Sequence, residues 1–264
     1  MTESAYPPDV HLLRDLAVNG ERRADLATNR LAHQPGLADG RGSLRLGVLA
    51  TLIDMTGAGI ALATVAPDWI ATADLSCHLT AAVTGDATVV CRPLRAGSST
   101  VVVGAEILDG EGLVRGHGRM AFARIPGRAT RADVDHPRGD GTEPVLFSMA
   151  GGTPIDDSVL DRCGVRVLAP GQLELDKSPY VKNSFGTING GVQALVAEAA
   201  AVSATDGSHA ISQQIHYLEQ VAAGPLRIEA DIVRTGPAPL CEVRLIDRSD
   251  DRLVAVADVT VAAG

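Results

Sequence analysis

Aromatic side chains make up only 3% of this 264-residue chain and include a single tryptophan, Trp69, so there are few faces on which nucleobases could stack. Cations are in deficit too: 23 lysines and arginines stand against 32 aspartates and glutamates, a formal charge of −9, and such a field repels polyanions. Nucleic acid is therefore not an expected partner. Cysteine is scarce and scattered. Cys77, Cys91, Cys163 and Cys241 form no CxxC pair, which removes the ligand spacing of a zinc ribbon and the pattern of a disulfide framework. None of the 7 histidines belongs to an HExxH-type motif, so no metal site is expected. With no secretory segment at the N-terminus, the expected setting is reducing and cytoplasmic. Long hydrophobic runs are missing as well. The most apolar stretches, 46–66 and 188–202, are interrupted by Gly, Thr, Asp or Glu and fall short of the roughly 18–20 residues a membrane-crossing helix needs. No membrane partner is expected.

What the chain does contain is a repeat. Residues 39–54 read DGRGSLRLGVLATLID, and residues 183–198 read NSFGTINGGVQALVAE. At one constant spacing Asp39 matches Asn183, Gly42 matches Gly186, Gly47 matches Gly191 and Asp54 matches Glu198. Each copy is a glycine-containing turn followed by an apolar helix with a carboxylate two turns in. Further along, Arg95-Ala96-Gly97 matches Arg234-Thr235-Gly236. Two halves that are no longer equivalent are fused in one chain, long enough to bury roughly 70–75% of its unfolded surface without staples.

The order of elements also recurs. In the first half, apolar spacing predicts helices over 9–18 and 46–65, then strands over 70–80, 87–95, 100–108 and 113–125, with Asp109-Gly110-Glu111-Gly112 as a hairpin turn. In the second half the pattern predicts a strand over 165–175, a helix over 190–203 and strands over 210–218, 226–234, 240–246 and 253–262. Residues 126–143, rich in Gly, Pro, Arg and Asp, read as a linker. The expected division is a repeat over 1–125, the linker, and a second repeat over 144–264.

A long helix followed by an antiparallel meander is the hotdog pattern, and the fold expected is an α+β double hotdog: two central helices, each wrapped by an antiparallel sheet, forming a pseudo-dimer in one chain. At NSFGTINGGVQALVAE the sequence resembles the acyl-CoA thioesterases of the phenylacetyl-CoA type, in which an Asn is followed six residues later by His-Gly-Gly and then by Asp or Glu eight residues after the first Gly. Here Asn183, Asn189-Gly190-Gly191 and Glu198 occupy those positions, with Asn189 in place of the His, whereas the first half has Arg45-Leu46-Gly47.

Thioester hydrolysis builds negative charge on the carbonyl oxygen, and helix-start N–H groups suit that charge. Glu198 lies eight residues beyond Gly190, roughly 12 Å along one helix at 1.5 Å per residue, too far to serve a carbonyl held at Gly190. The carboxylate must come from an antiparallel helix, which the relatives take from a partner subunit and this chain would take from its other half. The first composite site then joins Asn183, Asn189, Gly190 and Gly191 to Asp54, and the resemblance places Thr72 beside that carboxylate. Asp54 would act as base or nucleophile, with the Gly190 N–H and the Asn183 amide polarising the carbonyl. The second joins Glu198 to a first-half helix start where Leu46 replaces the close-approach glycine and Asp39 replaces the amide, and where Ile211 or Ser212 matches Thr72. This second site is expected to be inactive, with Glu198 neutralised by Arg45. An acyl pocket is expected between the helices at Met55, Ala58, Val192, Leu195 and Ala199.

The resemblance further implies an acyl-CoA substrate, with no cofactor beyond the CoA that the substrate itself carries, and offers Arg92, Arg95 and Arg234 for its phosphates. His78, aligned with Tyr217, and His117 read as structural. A monomeric pseudo-dimer or a higher homo-oligomer is expected. Two other readings compete: a non-catalytic acyl-CoA-binding protein, and an acyl-CoA hydratase or dehydratase. The latter lacks its histidine, because Gly40 and Ser184 stand at the matching positions.

Overall fold

The computed structural model describes residues 6–126, 143–149, 151–205 and 209–262, so the linker lies almost entirely outside the described residues. In chain order the elements are α1 (Leu12–Asp15), β1 (Asn19–Arg22), β2 (Ala27–Leu31), α2 (Leu46–Val65), β3 (Trp69–Leu79), β4 (Ala87–Ala96), β5 (Thr100–Leu108), β6 (Val114–Ile125), β7 (Val145–Ser148), α3 (Val159–Cys163), β8 (Val165–Ala169), β9 (Gln172–Leu175), α4 (Gly190–Thr205), β10 (His209–Tyr217), β11 (Leu226–Arg234), β12 (Leu240–Asp247) and β13 (Arg252–Ala262).

Helix α2 is apolar all round, as a helix buried on every side must be. By length and hydropathy alone it meets the criterion for a membrane span, against the expectation from its interruptions. It is instead a core helix, with 67% of its most apolar window buried. Among the described residues, the thirteen strands join one sheet in the order β7-β1-β2-β4-β5-β6-β3-β10-β13-β12-β11-β9-β8. The halves meet at β3 and β10, where Leu75 pairs with Ile215 and Asp74 with His216. The sheet curls around α2 and α4, which are antiparallel: a β-carbon added to Gly47 would lie 2.4 Å from the Leu195 Cα, and one added to Gly191 would lie 2.6 Å from the Thr51 Cα. Those two contacts are pseudo-twofold mates, and only glycine lets the backbones approach so closely.

The double hotdog is thus observed, with its long helices and meander strands placed within two residues of expectation. The flanking segments differ. The helix expected over 9–18 shrinks to α1, because Ala17 turns into the left-handed region (φ 49°) and the chain enters β1. The strand expected over 165–175 is a hairpin, β8–β9, folded at Pro170-Gly171 with Gly171 at φ 73°. Strand β7, counted with the second repeat, pairs with β1 at the first repeat's edge. The halves also clasp each other. His11 Nε2 and Tyr6 Oη lie 2.7 and 3.2 Å from the Lys182 carbonyl, while Ile155 N donates to Gln34 Oε1 at 2.6 Å.

Candidate active site

Asp54 sits in the middle of α2, 8% exposed. Its pKa is pushed up to about 6 by burial, against the opposing hydrogen bonds from Thr72 and the Gly191 N–H. Thr72 Oγ1 donates to Asp54 Oδ1 at 2.9 Å. This contact depends on a β-bulge. The β3–β6 register shifts between Thr72 and Asp74, and the extra residue turns Thr72 to the same side as the buried Leu75. Strand β10 has its own shift between Ala210 and Ser212, which makes Ala210, rather than Ile211 or Ser212, the counterpart of Thr72. The second half has no hydroxyl there. The same register aligns His78 with His216 and not with Tyr217. His78 faces away from the helices, its Nδ1 2.7 Å from Ser212 Oγ and its ring against His117.

The start of α4 approaches Asp54 from the other half. A β-carbon on Gly190 would lie 3.3 Å from Asp54 Oδ2 and 3.4 Å from Tyr217 Oη. Asn189 stands at the N-cap, its Oδ1 accepting from the Gly191 N–H at 2.8 Å. The Gly190 N–H has no hydrogen-bond partner among the described residues, and its residue lies beside the carboxylate. Asn183 borders the same cavity, but its Oδ1 accepts from Phe185 N and Thr187 N at 2.9 and 3.2 Å. Its oxygen holds the turn, and only Nδ2 can donate to a ligand. Asp39 makes the equivalent bonds to Arg41 N and Ser43 N at 2.9 and 3.1 Å. It therefore holds its turn as Asn183 does, and its charge still reaches the mirror site, where it works to raise the Glu198 pKa.

The sequence did not single out two tyrosines at this site. Tyr217 Oη donates to the Gly190 carbonyl at 2.8 Å; Tyr6 hydrogen-bonds Asn189, and burial raises its pKa. Asp54 raises both phenols further. Tyr217 carried a signal, since it ends a strand beside the repeat. Tyr6 carried none, because only the tertiary clasp brings it here.

At the mirror position Arg45 Nε lies 3.1 Å from Glu198 Oε2, the two side chains 16% and 2% exposed. Burial raises the Glu198 pKa, while Arg45 and the Gly47 N–H hold it down.

A cavity of about 430 Å³ opens at Asp54. Met55 and Ala58 line it as expected, but Val192, Leu195 and Ala199 are core residues packed away from it. It runs instead along the far half of α2, past Leu62, Trp69, Phe122 and Phe147. Trp69 and Phe185 meet edge to face at 5.2 Å. Arg92, Arg95 and Arg234 are exposed and none borders the cavity; Arg234 donates to the Ala238 carbonyl. Among the described residues, no three His, Cys, Asp or Glu side chains gather as metal ligands, and the four cysteines are free and buried.

A carboxylate from one repeat thus stands beside the helix start of the other, above a largely apolar cavity, within a double hotdog fold. The thioesterase superfamily profile matches residues 42–115, and that of the acyl-CoA thioesterase N-terminal domain matches residues 180–262. The chain belongs to the thioesterase superfamily as a tandem hotdog protein and is a thioester hydrolase. No curated protein matches it significantly. Solved structures share the fold: a protein from Lactobacillus plantarum assigned as an oleoyl thioesterase (9% identity, 91% of this chain and 98% of that one, TM-score 0.63), one from Thermobifida fusca assigned as a thioesterase II (17%, 99% and 100%, 0.62), and the 12:0-ACP thioesterase from Umbellularia californica (11%, 89% and 96%, 0.59).

Proposed function

We propose that the protein hydrolyses an acyl-CoA thioester to the free acid and CoA at a single site shared by the two repeats. The observation that carries this reading is the placement of Asp54 of the first repeat against the Gly190 start of α4 in the second. The acyl-CoA thioesterase profile over residues 180–262 favours CoA as the thiol carrier. The thioester carbonyl oxygen would accept from the Gly190 N–H, where the helix dipole favours developing negative charge. Asn183 Nδ2 is a second donor within the same cavity.

Asp54, with its pKa near 6, suits a general base at neutral pH. It takes a proton from water as the water oxygen bonds to the carbonyl carbon. The tetrahedral intermediate then expels the sulfur, and the proton passes from Asp54 to the CoA thiolate. Thr72 holds the carboxylate in place and limits the rise of its pKa. Asn189 shapes the helix start, and Tyr217 fixes the Gly190 peptide through its carbonyl.

The test is thiol release from a panel of acyl-CoAs and acyl carrier protein thioesters by wild type, Asp54→Asn and Glu198→Gln. Turnover of CoA esters lost only in Asp54→Asn supports the single site. Cleavage of carrier-protein esters alone would reassign the substrate. Tight binding of acyl-CoA with no turnover would make the protein a binder. A single turnover in oxygen-18 water tests the base: label in the acid and none in Asp54 is expected, while labelled Asp54 identifies a nucleophile.

A further inference from the structure

Tyr6 stands ahead of α1, on a segment that belongs to neither meander, and borders the cavity. Its ring lies edge-on to His11, the centroids 5.3 Å apart, and its hydroxyl donates to the Lys182 carbonyl at 3.2 Å. His11 Nδ1 accepts from Leu13 N at 3.1 Å, so the proton of the neutral ring sits on Nε2 and goes to the same carbonyl at 2.7 Å. Burial favours that neutral form. With its own proton committed to Lys182, the Tyr6 oxygen is left to accept, and it meets the side chain of Asn189.

Asn189 is then fixed at both ends of its carboxamide. A backbone N–H can only donate, so the atom 2.8 Å from Gly191 N is the Asn189 oxygen, and Nδ2 is the end that meets Tyr6. The Gly191 N–H that Asn189 takes also reaches Asp54, whose ionised form it favours. Two oxygens therefore compete for one donor. The mirror helix start shows the other arrangement. Arg45 gives its helix no side-chain cap, and the Gly47 N–H acts on Glu198.

Given the hydrolase reading above, on which this rests, we infer that Tyr6 is a positioning residue: it holds the Asn189 carboxamide on the Gly191 N–H and so withholds that donor from Asp54. Thr72 already supplies one donor to the carboxylate. A second would stabilise the ionised form further and weaken it as a base toward water. The other titratable or charged groups around Asp54 are Tyr217 of β10 and, along the same cavity, Glu21 and Arg22 of β1 and Glu219 beyond β10. Substitution of Tyr6 or Asn189 leaves all of these in place.

Without the Tyr6 hydroxyl, Asn189 is released to swing off the helix start, and the Gly191 N–H turns to Asp54. Tyr6→Phe should therefore move the rising limb of the kcat–pH profile to lower pH by about half a unit or more, the direction opposite to loss of the Thr72 donor. Plateau kcat should fall about two- to five-fold, as for a weaker base, with KM near wild type because the ring stays. Asn189→Ala should move the limb at least as far, and the double variant no further than Asn189→Ala, since Tyr6 acts through that residue. An unmoved or raised limb in Tyr6→Phe, or a double variant that adds the two displacements, overturns the inference. Carbon-13 NMR of the Asp54 carboxyl, assigned with Asp54→Asn, follows the same titration without substrate. A lower midpoint in Tyr6→Phe is expected there, and an equal one overturns the positioning role. If no acyl-CoA is cleaved, the hydrolase reading fails, and the NMR titration still decides whether Tyr6 acts on the carboxylate.

Discussion

Arg45 and Glu198 form a buried ion pair, Nε to Oε2 at 3.1 Å, at positions that are the pseudo-twofold counterparts of Asn189 and Asp54. On one side of the molecule the residue before the glycine helix start caps the helix and leaves the carboxylate open to the cavity. On the other a guanidinium has taken the carboxylate.

Glu198→Gln should therefore leave turnover within about two-fold of wild type but unfold earlier. Removing one partner of a buried pair leaves a buried charge and costs about 3 kcal/mol, several degrees in Tm for a chain of this size. Arg45→Met combined with Glu198→Leu should recover most of the loss. Thermal unfolding with thiol-release assays reads both effects, and a large drop in turnover from Glu198→Gln would show a second working site.

Asp54→Asn should abolish hydrolysis by at least about 10²-fold while stabilising the fold in a pH-dependent way. The Asp54 pKa is raised from 3.8 to about 6, so the folded state holds this proton more tightly than the unfolded chain. That contribution is full below about pH 3.8 and is lost as pH rises through about 6, leaving a buried carboxylate that disfavours the fold by roughly 3 kcal/mol. Asp54→Asn should melt above wild type near pH 8 and lose that advantage near pH 4. An equal shift at both pH values would contradict the raised pKa.

Wild-type kcat should rise with pH through about 6 as Asp54 ionises. Thr72→Val removes the donor to Oδ1 at 2.9 Å, which favours the ionised form. Its pH–rate profile should move to higher pH, with turnover at neutral pH down about ten-fold. A fall in rate with no displacement of the profile would assign Thr72 to packing alone.

Two glycine substitutions should separate chemistry from packing. Gly190→Ala places a methyl 3.3 Å from Asp54 Oδ2, crowding the space of water and thioester, and should lower kcat at least about ten-fold with little change in Tm. Gly47→Ala puts its methyl 2.4 Å from the Leu195 Cα, a backbone atom that cannot turn aside. Forcing α2 from α4 should cost about 1–3 kcal/mol or more, with the remaining folded fraction active.

Much of this site was legible because the repeat itself revealed it. The constant spacing matched Asp54 to Glu198, and the length of one helix forced the carboxylate to come from the other half. The Arg45–Glu198 pair followed from the same symmetry. Thr72's counterpart was misread because a bulge at Ala73 and another at Ile211 shift the register locally, and alternation alone does not show where the extra residue enters. Strands β1, β2 and β7 escaped notice because they are short strands of mixed polarity at one end of the sheet. They hold the acyl wall, so the cavity was placed too near α4. Tyr6 reaches the site through a contact 176 residues apart in the chain, beyond any local pattern.

The single sheet with its seam at β3 and β10 also determines how substitutions register. In an assembly of two identical subunits every mutation appears twice, so an arginine that quenched one carboxylate would quench both. Here the halves are encoded separately. Arg45 can occupy one helix start while Asn189 keeps the other, so one carboxylate is locked in an ion pair and its counterpart is left beside the cavity.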